Sequence, residues 1–376
     1  MSIHARDPDT GGTATASALL ARAADAELRA DHRLATSIDD FFLAGDGRLD
    51  DRVRARLAAT LEALVGAIEA AIRAHAARLL AARGLTALAV DVGSGAPVAL
   101  DRLLGAGLMR DPAVMHELIG RVRQTLIAEA LPVEAAPLGS SGKADQPSLL
   151  ARLSRHADHV VATGAVALLA TESRRRAPLV AGATTRTDLP AAIQQRLIWW
   201  VAATVREATT SEGAGTTEPL DRALAESAQR SLAAHNESDR LEAAATRLAI
   251  ALDPRAEELA ALLAEALADQ RLSLFIALLG HALGLHYADM RDIVLDPDAE
   301  RLWLVLRALK LDRPAIARIG LALCEADPRR DVEQFADLLD TIVAVDPAQA
   351  RAAIAPLLLH PEYRAAVLAI ARGAKA

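Results

Sequence analysis

Two of the ten histidines in this chain stand where a helix could present them for proton or phosphoryl chemistry. His75 falls between Ile72 and Leu79 on the apolar stripe of a long helical pattern, and His116, followed by Glu117 and Leu118, opens a second helix. A helix-borne imidazole beside a carboxylate can act as a nucleophile toward phosphorus. No proline follows in the manner of a phospho-accepting histidine box, and no ATP-binding domain follows either. The simpler reading of His75 is a histidine satisfied within a core or an interface.

Other chemistry-bearing patterns are fragments. Leu88–Gly95 (LAVDVGSG) has the look of a strand and glycine loop for a nucleotide or S-adenosylmethionine, where glycine lets the backbone approach a ligand. That site needs further strands alternating with helices, and none follow. Gly139–Lys143 (GSSGK) ends like a phosphate-binding loop, but Ala144 stands where a Ser or Thr is required. His156 and His159, three apart, and His281 and His286, five apart, lack the third and fourth neighbours of a metal centre. Cys324, the single cysteine, lies in an apolar helical pattern and cannot form an intramolecular disulfide. Paired acids at Asp39-Asp40, Asp50-Asp51 and Glu257-Glu258 suit helix N-termini. The expectation is no catalytic residue, no cofactor and no metal.

Two clusters suit a partner contact. Trp199-Trp200 is the densest aromatic feature; core packing is the simpler reading for both, yet adjacent helical positions diverge, so one can face a neighbour or a partner. Arg174-Arg175-Arg176 is the one compact basic run, and its plainer reading is a cationic last turn of a helix.

The elements that must position these groups are helical. Hydrophobic residues make up 52 % of the 376 residues and aromatics 2 %, so the core is built from Ala, Leu, Val and Ile, with the first two strong helix formers. Asp-Pro at 111–112, 253–254, 296–297, 327–328 and 346–347, with Asp312-Arg313-Pro314 and His360-Pro361 as variants, reads as repeated helix starts: Asp caps the first turn and Pro tolerates its first position. The periodicity predicts helices over about 14–34, 49–82, 98–104 and 112–130, then a succession of short ones from 218 to the end. Such short helices persist only when stacked. The expected organisation is a tail (1–12), an N-terminal helical region (13–131), a Pro/Gly/Ser-rich linker (132–147) and a helical-repeat region (148–376). The fold class is all-α, a HEAT-like α-solenoid or irregular array of stacked helix pairs.

A net charge of −7 opposes nucleic-acid binding. The apolar runs are too short for a membrane span, and the single cysteine fits a cytoplasmic setting. Ser148–Ala162, in which a helix ends near a His-Ala157-Asp turn where His-Pro-Asp is usual, resembles a HEAT-like unit, and Leu189–Trp200 and Leu357–Arg364 extend the likeness. Together they resemble the alphaproteobacterial family catalogued as domain of unknown function 2336. That resemblance implies a HEAT-like all-α fold and no established activity. The leading expectation is a non-enzymatic scaffold or regulator that binds an unknown protein partner, with a homodimer possible. The alternatives are a phosphotransfer or kinase-regulating module using His75 or His116, and a small-ligand enzyme using the Gly93–Gly95 turn.

Overall fold

The computed structural model describes residues 9–42, 49–132, 147–176, 187–212 and 217–373. Most of the expected linker therefore lies outside the described residues. Among these the chain is all helical, without a strand: α1 (Asp9–Ala24), α2 (Ala26–Phe42), α3 (Asp51–Ala82), α4 (Thr86–Ser94), α5 (Ala99–Gly105), α6 (Pro112–Ala130), α7 (Leu149–Leu153), α8 (His159–Arg176), α9 (Ala191–Glu212), α10 (Thr217–Ala233), α11 (Leu241–Leu252), α12 (Ala256–Ala268), α13 (Leu272–Leu283), α14 (Tyr287–Leu295), α15 (Glu300–Ala308), α16 (Arg313–Ala326), α17 (Val332–Ala344), α18 (Pro347–Ile354) and α19 (Pro361–Gly373). No single helix among them is long and apolar enough to cross a membrane. Two compact units form: one from the described residues of Met1–Arg33, Arg123–Leu169 and Ala245–Ala376, the other from Leu34–Val122 and Ala170–Ala244.

The second of these units is built on α3. Asp50 caps it through its carboxylate, which accepts the Arg52 N–H at 2.8 Å. Gly84, at φ +81°, ends it in a Schellman turn with the Leu85 N–H returning to the Leu80 carbonyl at 3.0 Å. Val53, Leu57, Leu61, Leu64, Ile68 and Ile72 form its buried stripe. Helices α4, α5, α9 and α10 all pack against α3.

Within that stripe lies an ion pair. Arg73 donates from Nε to Glu69 Oε1 at 2.8 Å, and both side chains are almost wholly buried. Glu69 also accepts the N–H groups of Val98 (3.2 Å) and Ala99 (3.0 Å) at the start of α5. Arg73 donates to the carbonyls of Val92 and Ala96 at 3.2 Å each. One turn of α3 thus satisfies the end of one helix and the beginning of the next.

This geometry corrects the glycine-loop expectation. Leu88–Val92 is helix, not strand, and Gly93 lies inside α4. Gly95 is closed by protein: a Cβ there would meet Arg73 Nη1 at 2.5 Å.

In the first unit, α1 packs against α15, α17 and α18, and α12 against α13 and α16. Every residue of Leu272–Gly280 in α13 is buried. Trp303 of α15 lies on Phe335 of α17, ring centroids 4.8 Å apart. Phe335 in turn rests on Gly320 of α16, where a Cβ would run into its ring.

The Asp-Pro signals divide into two kinds. Asp111, Asp312 and Asp346 cap the following helix through their carboxylates. Asp253, Asp296 and Asp327 do not. They lie just past α11, α14 and α16, and the next helices begin two or more residues later, behind Arg255, Ala299 and Asp331. Proline drives the residue before it into extended backbone, which ends the preceding helix whether or not a new one starts at once. Asp296 (ψ 120°) and Asp327 (ψ 102°) show that effect.

Asp296 and Asp327 hold arginines instead, and Asp253 meets His281. Asp327 accepts from Arg329 at 2.7 and 2.9 Å, and Arg330 Nε lies 3.6 Å away. Burial opposes ionisation of Asp327, but the Arg329 hydrogen bond and the charges of Arg329 and Arg330 outweigh it and hold its carboxyl below the usual range. Asp296 lies 2.6 Å from Arg33 and 3.5 Å from Arg301. Arg329 and Arg330 also donate to the last carbonyls of α14, at Leu295 and Val294.

Two substitutions test this packing. Glu69→Ala strands the Arg73 charge and should cost about 3–5 kcal/mol in urea unfolding; a loss under ~1 kcal/mol would count against the staple. Gly320→Ala should cost about 1–3 kcal/mol by overpacking against Phe335, read as a lower midpoint at unchanged slope.

Candidate functional site

The residues singled out in the sequence fall at separate places. Trp199 is 38 % exposed and Trp200 half-buried on α9. Core packing of both is thereby corrected, because Leu197, Ile198, Val201 and Ala202 fill the core side of that helix. The buried tryptophan is Trp303.

The arginine run splits in three directions. Arg174 donates to Thr171 Oγ1 at 2.9 Å, and Arg176 is exposed. Arg175 turns inward, its side chain 13 % exposed, toward Asp188 at 3.5 Å. Asp188 is shared with Arg121 at 3.6 Å and accepts the Leu241 N–H at 2.8 Å. Burial, and then the Arg175 charge, bring Arg121 down to about 10 against the pull of Asp188 and Glu117. This cluster is an internal tie.

His116 is half-buried on α6, beside the buried Glu117. Among the described residues no group of three metal-ligating side chains is assembled. His156 Nδ1 accepts the Asp158 N–H at 3.1 Å in the turn before α8, and His281 Nε2 meets Asp253 at 2.8 Å.

His75 has the most unusual surroundings. It sits half-buried at the edge of the α3–α10 contact, beside the buried Ile72, Ala76 and Leu80. Arg230 of α10 brings Nη1 to 2.8 Å of His75 Nδ1, and Arg78, one turn along α3, brings Nη2 to 3.3 Å of the same atom. Further along, Arg83 pairs with Glu226 at 2.6 Å. The contacts 75 with 230 and 83 with 226 show that α10 runs antiparallel to α3.

Guanidinium groups only donate. Two of them directed at Nδ1 require a lone pair there, so the neutral ring carries its proton on Nε2. That lone pair is the one a phosphoryl group would need, and arginines cover it. Burial first, then Arg230 and Arg78, lower the His75 pKa from 6.5, with Glu226 opposing. The spacing of His75 and Arg78 was readable in the sequence, since residues three apart share a helix face. Arg230 was not, because only the packing of α10 supplies it.

The sign of the linkage follows. With its folded pKa below the unfolded value, His75 takes up its proton more readily in the unfolded chain. Its contribution to stability is complete above the unfolded value near 6.5 and is lost as pH falls through the folded pKa. In an NMR titration, wild-type His75 should titrate below 6.5 and Arg230→Ala should move it upward. An unchanged midpoint in that variant would remove the arginine from the account.

No curated protein and no solved structure matches the chain. Residues 142–355 match the profile of a family described as an uncharacterised protein conserved in bacteria, DUF2336. The matched stretch is more than half of the sequence, and the chain belongs to that family.

Proposed function

We propose that this chain is a non-enzymatic helical interaction protein of the cytoplasm that docks a protein partner on its C-terminal helix. The observation that carries the reading is the orientation of α19. Tyr363, Val367 and Ile370 recur at helical spacing and are 61 %, 43 % and 73 % exposed, and Leu358 and Leu359 just before them are exposed as well. One charged residue of the same helix, Arg364, faces inward, while Glu362 is exposed. Arg364, its side chain 13 % exposed, donates to the Leu357 carbonyl at 3.1 Å and pairs with Glu27 and Asp289. An ordinary surface helix does the reverse. A contiguous apolar stripe with an aromatic at one end is the surface a partner helix covers.

The stacking of the first unit supports a HEAT-like reading of the family region. Successive helices pack pairwise, α12 on α13, α13 on α14 and α16 on α17, while α12 also meets α16 and α15 meets α18. Stacked helix pairs of this kind present extended surfaces. The free, buried Cys324 accords with a reducing compartment.

Mild cross-linking in the native host, read by mass spectrometry, tests the proposal. A stoichiometric partner should cross-link to the segment 358–370 and be lost in Tyr363→Ser/Ile370→Ser, with the melting temperature unchanged because both side chains are exposed. Truncating a true hot spot costs about 2 kcal/mol or more. Recovery of the same partner with the double variant would refute α19 as the docking surface.

A further inference from the structure

We propose that His75, Arg78 and Arg230 form a receptor for a small phosphate-class dianion, inorganic phosphate or a phosphomonoester. The inference is independent of the docking surface on α19. It starts from an imbalance of charge. Four other arginines of the same unit are matched by carboxylates: Arg83 with Glu226, Arg102 with Glu207, Arg206 with Asp221 and Arg222 with Glu218. Arg78 and Arg230 have no such partner among the described residues. Both guanidiniums converge instead on one neutral nitrogen, His75 Nδ1, at 3.3 and 2.8 Å.

That arrangement leaves most of the donor capacity of two guanidiniums unused, and it brings two like charges together. An oxyanion between them resolves both problems. Guanidinium donates to phosphate oxygens through paired N–H groups, and charge-assisted bonds of this kind are the strong ones. Arg78 and Arg230 are exposed, so a solute reaches them and they can turn from the imidazole onto the ligand. The imidazole, relieved of its two donors, then takes a proton on Nδ1 and becomes a third donor. The charged groups acting on it are Arg230 and Glu226 from α10 and Arg78 on its own helix. Glu226 is held by Arg83 and adds only one opposing charge to the three arginines. No covalent step is involved.

Titration of the full chain with inorganic phosphate at low ionic strength, followed by calorimetry and by the His75 ring resonances, tests the site. Saturable one-to-one binding should shift the His75 signals and raise its pKa. Arg78→Ala and Arg230→Ala should each weaken binding at least about tenfold, the scale of one lost charged hydrogen bond. Arg222→Ala, on the exposed face of α10 and already paired, should leave affinity unchanged. Binding of glycerol 3-phosphate as well would assign a monoester site, and phosphate alone a site closed around four free oxygens; either outcome supports the receptor. Circular-dichroism melts confirm that the variants fold. The proposal falls if binding does not saturate, if Arg222→Ala weakens it as much as the other two, or if the His75 resonances stay still.

Discussion

The unit assembled on α3 depends on one buried ion pair. Glu69 and Arg73 occupy a single turn of that helix, and between them they satisfy N–H groups at the start of α5, the Val92 carbonyl in the last turn of α4 and the Ala96 carbonyl just past it. Both helices are short, nine and seven residues, and neither could persist alone. Taking two charges out of water is expensive, and the attraction between them repays it only when the remaining donors and acceptors are also bonded. Here the surplus bonding capacity goes to backbone groups that would otherwise be buried without partners. The pair is therefore a fastening for helix ends more than a source of net stability in itself.

The first unit solves the same problem with different residues. Asp327, Arg329 and Arg330 close the end of α14, and Asp296 anchors Arg33 and Arg301. A chain with 2 % aromatics has few large side chains to lock one short helix on another. Leucine and alanine fill space but do not specify where a helix must stop. Arginine does both, because its stem covers apolar surface while its fork reaches carbonyls across the joint. An aromatic contact, Trp303 on Phe335, lies where α16 offers a bare glycine for the ring to rest on.

Much of this architecture was legible in the sequence. The span of α3, its Gly84 stop and the starts of α6, α16 and α18 follow from stripe spacing and cap chemistry, which are local. What was hidden is tertiary. Asp253 and Asp296 carry the same Asp-Pro dipeptide as the true caps, and local chemistry cannot say that their carboxylates will meet His281 and Arg33 of other helices instead of first-turn N–H groups. The segment Leu88–Gly95 looked like a strand and loop because its apolar run and glycines are compatible with either state; packing on α3 decides for helix. At the candidate site, half of the constellation was present as His75 and Arg78 on one face, and the other half arrives with Arg230, 155 residues away.

Residue type was a weaker guide to exposure than position. Tryptophan drew attention at 199 and 200, yet Tyr363, Val367 and Ile370 are each more exposed than Trp199. The difference lies in Arg364. On an isolated amphipathic helix the stripe Tyr363, Val367, Ile370 would be assigned to the core, and its charged neighbour to solvent. The acids Glu27 and Asp289 reverse that choice, since together they offer Arg364 a double ion pair that no outward orientation supplies. Once the arginine is fixed inward, the helical step of about 100° per residue leaves the stripe Tyr363, Val367 and Ile370 about a quarter-turn away from it, toward water. The cost of leaving that stripe bare is of the order of 25 cal/mol for each Å² exposed, and a covering partner recovers it.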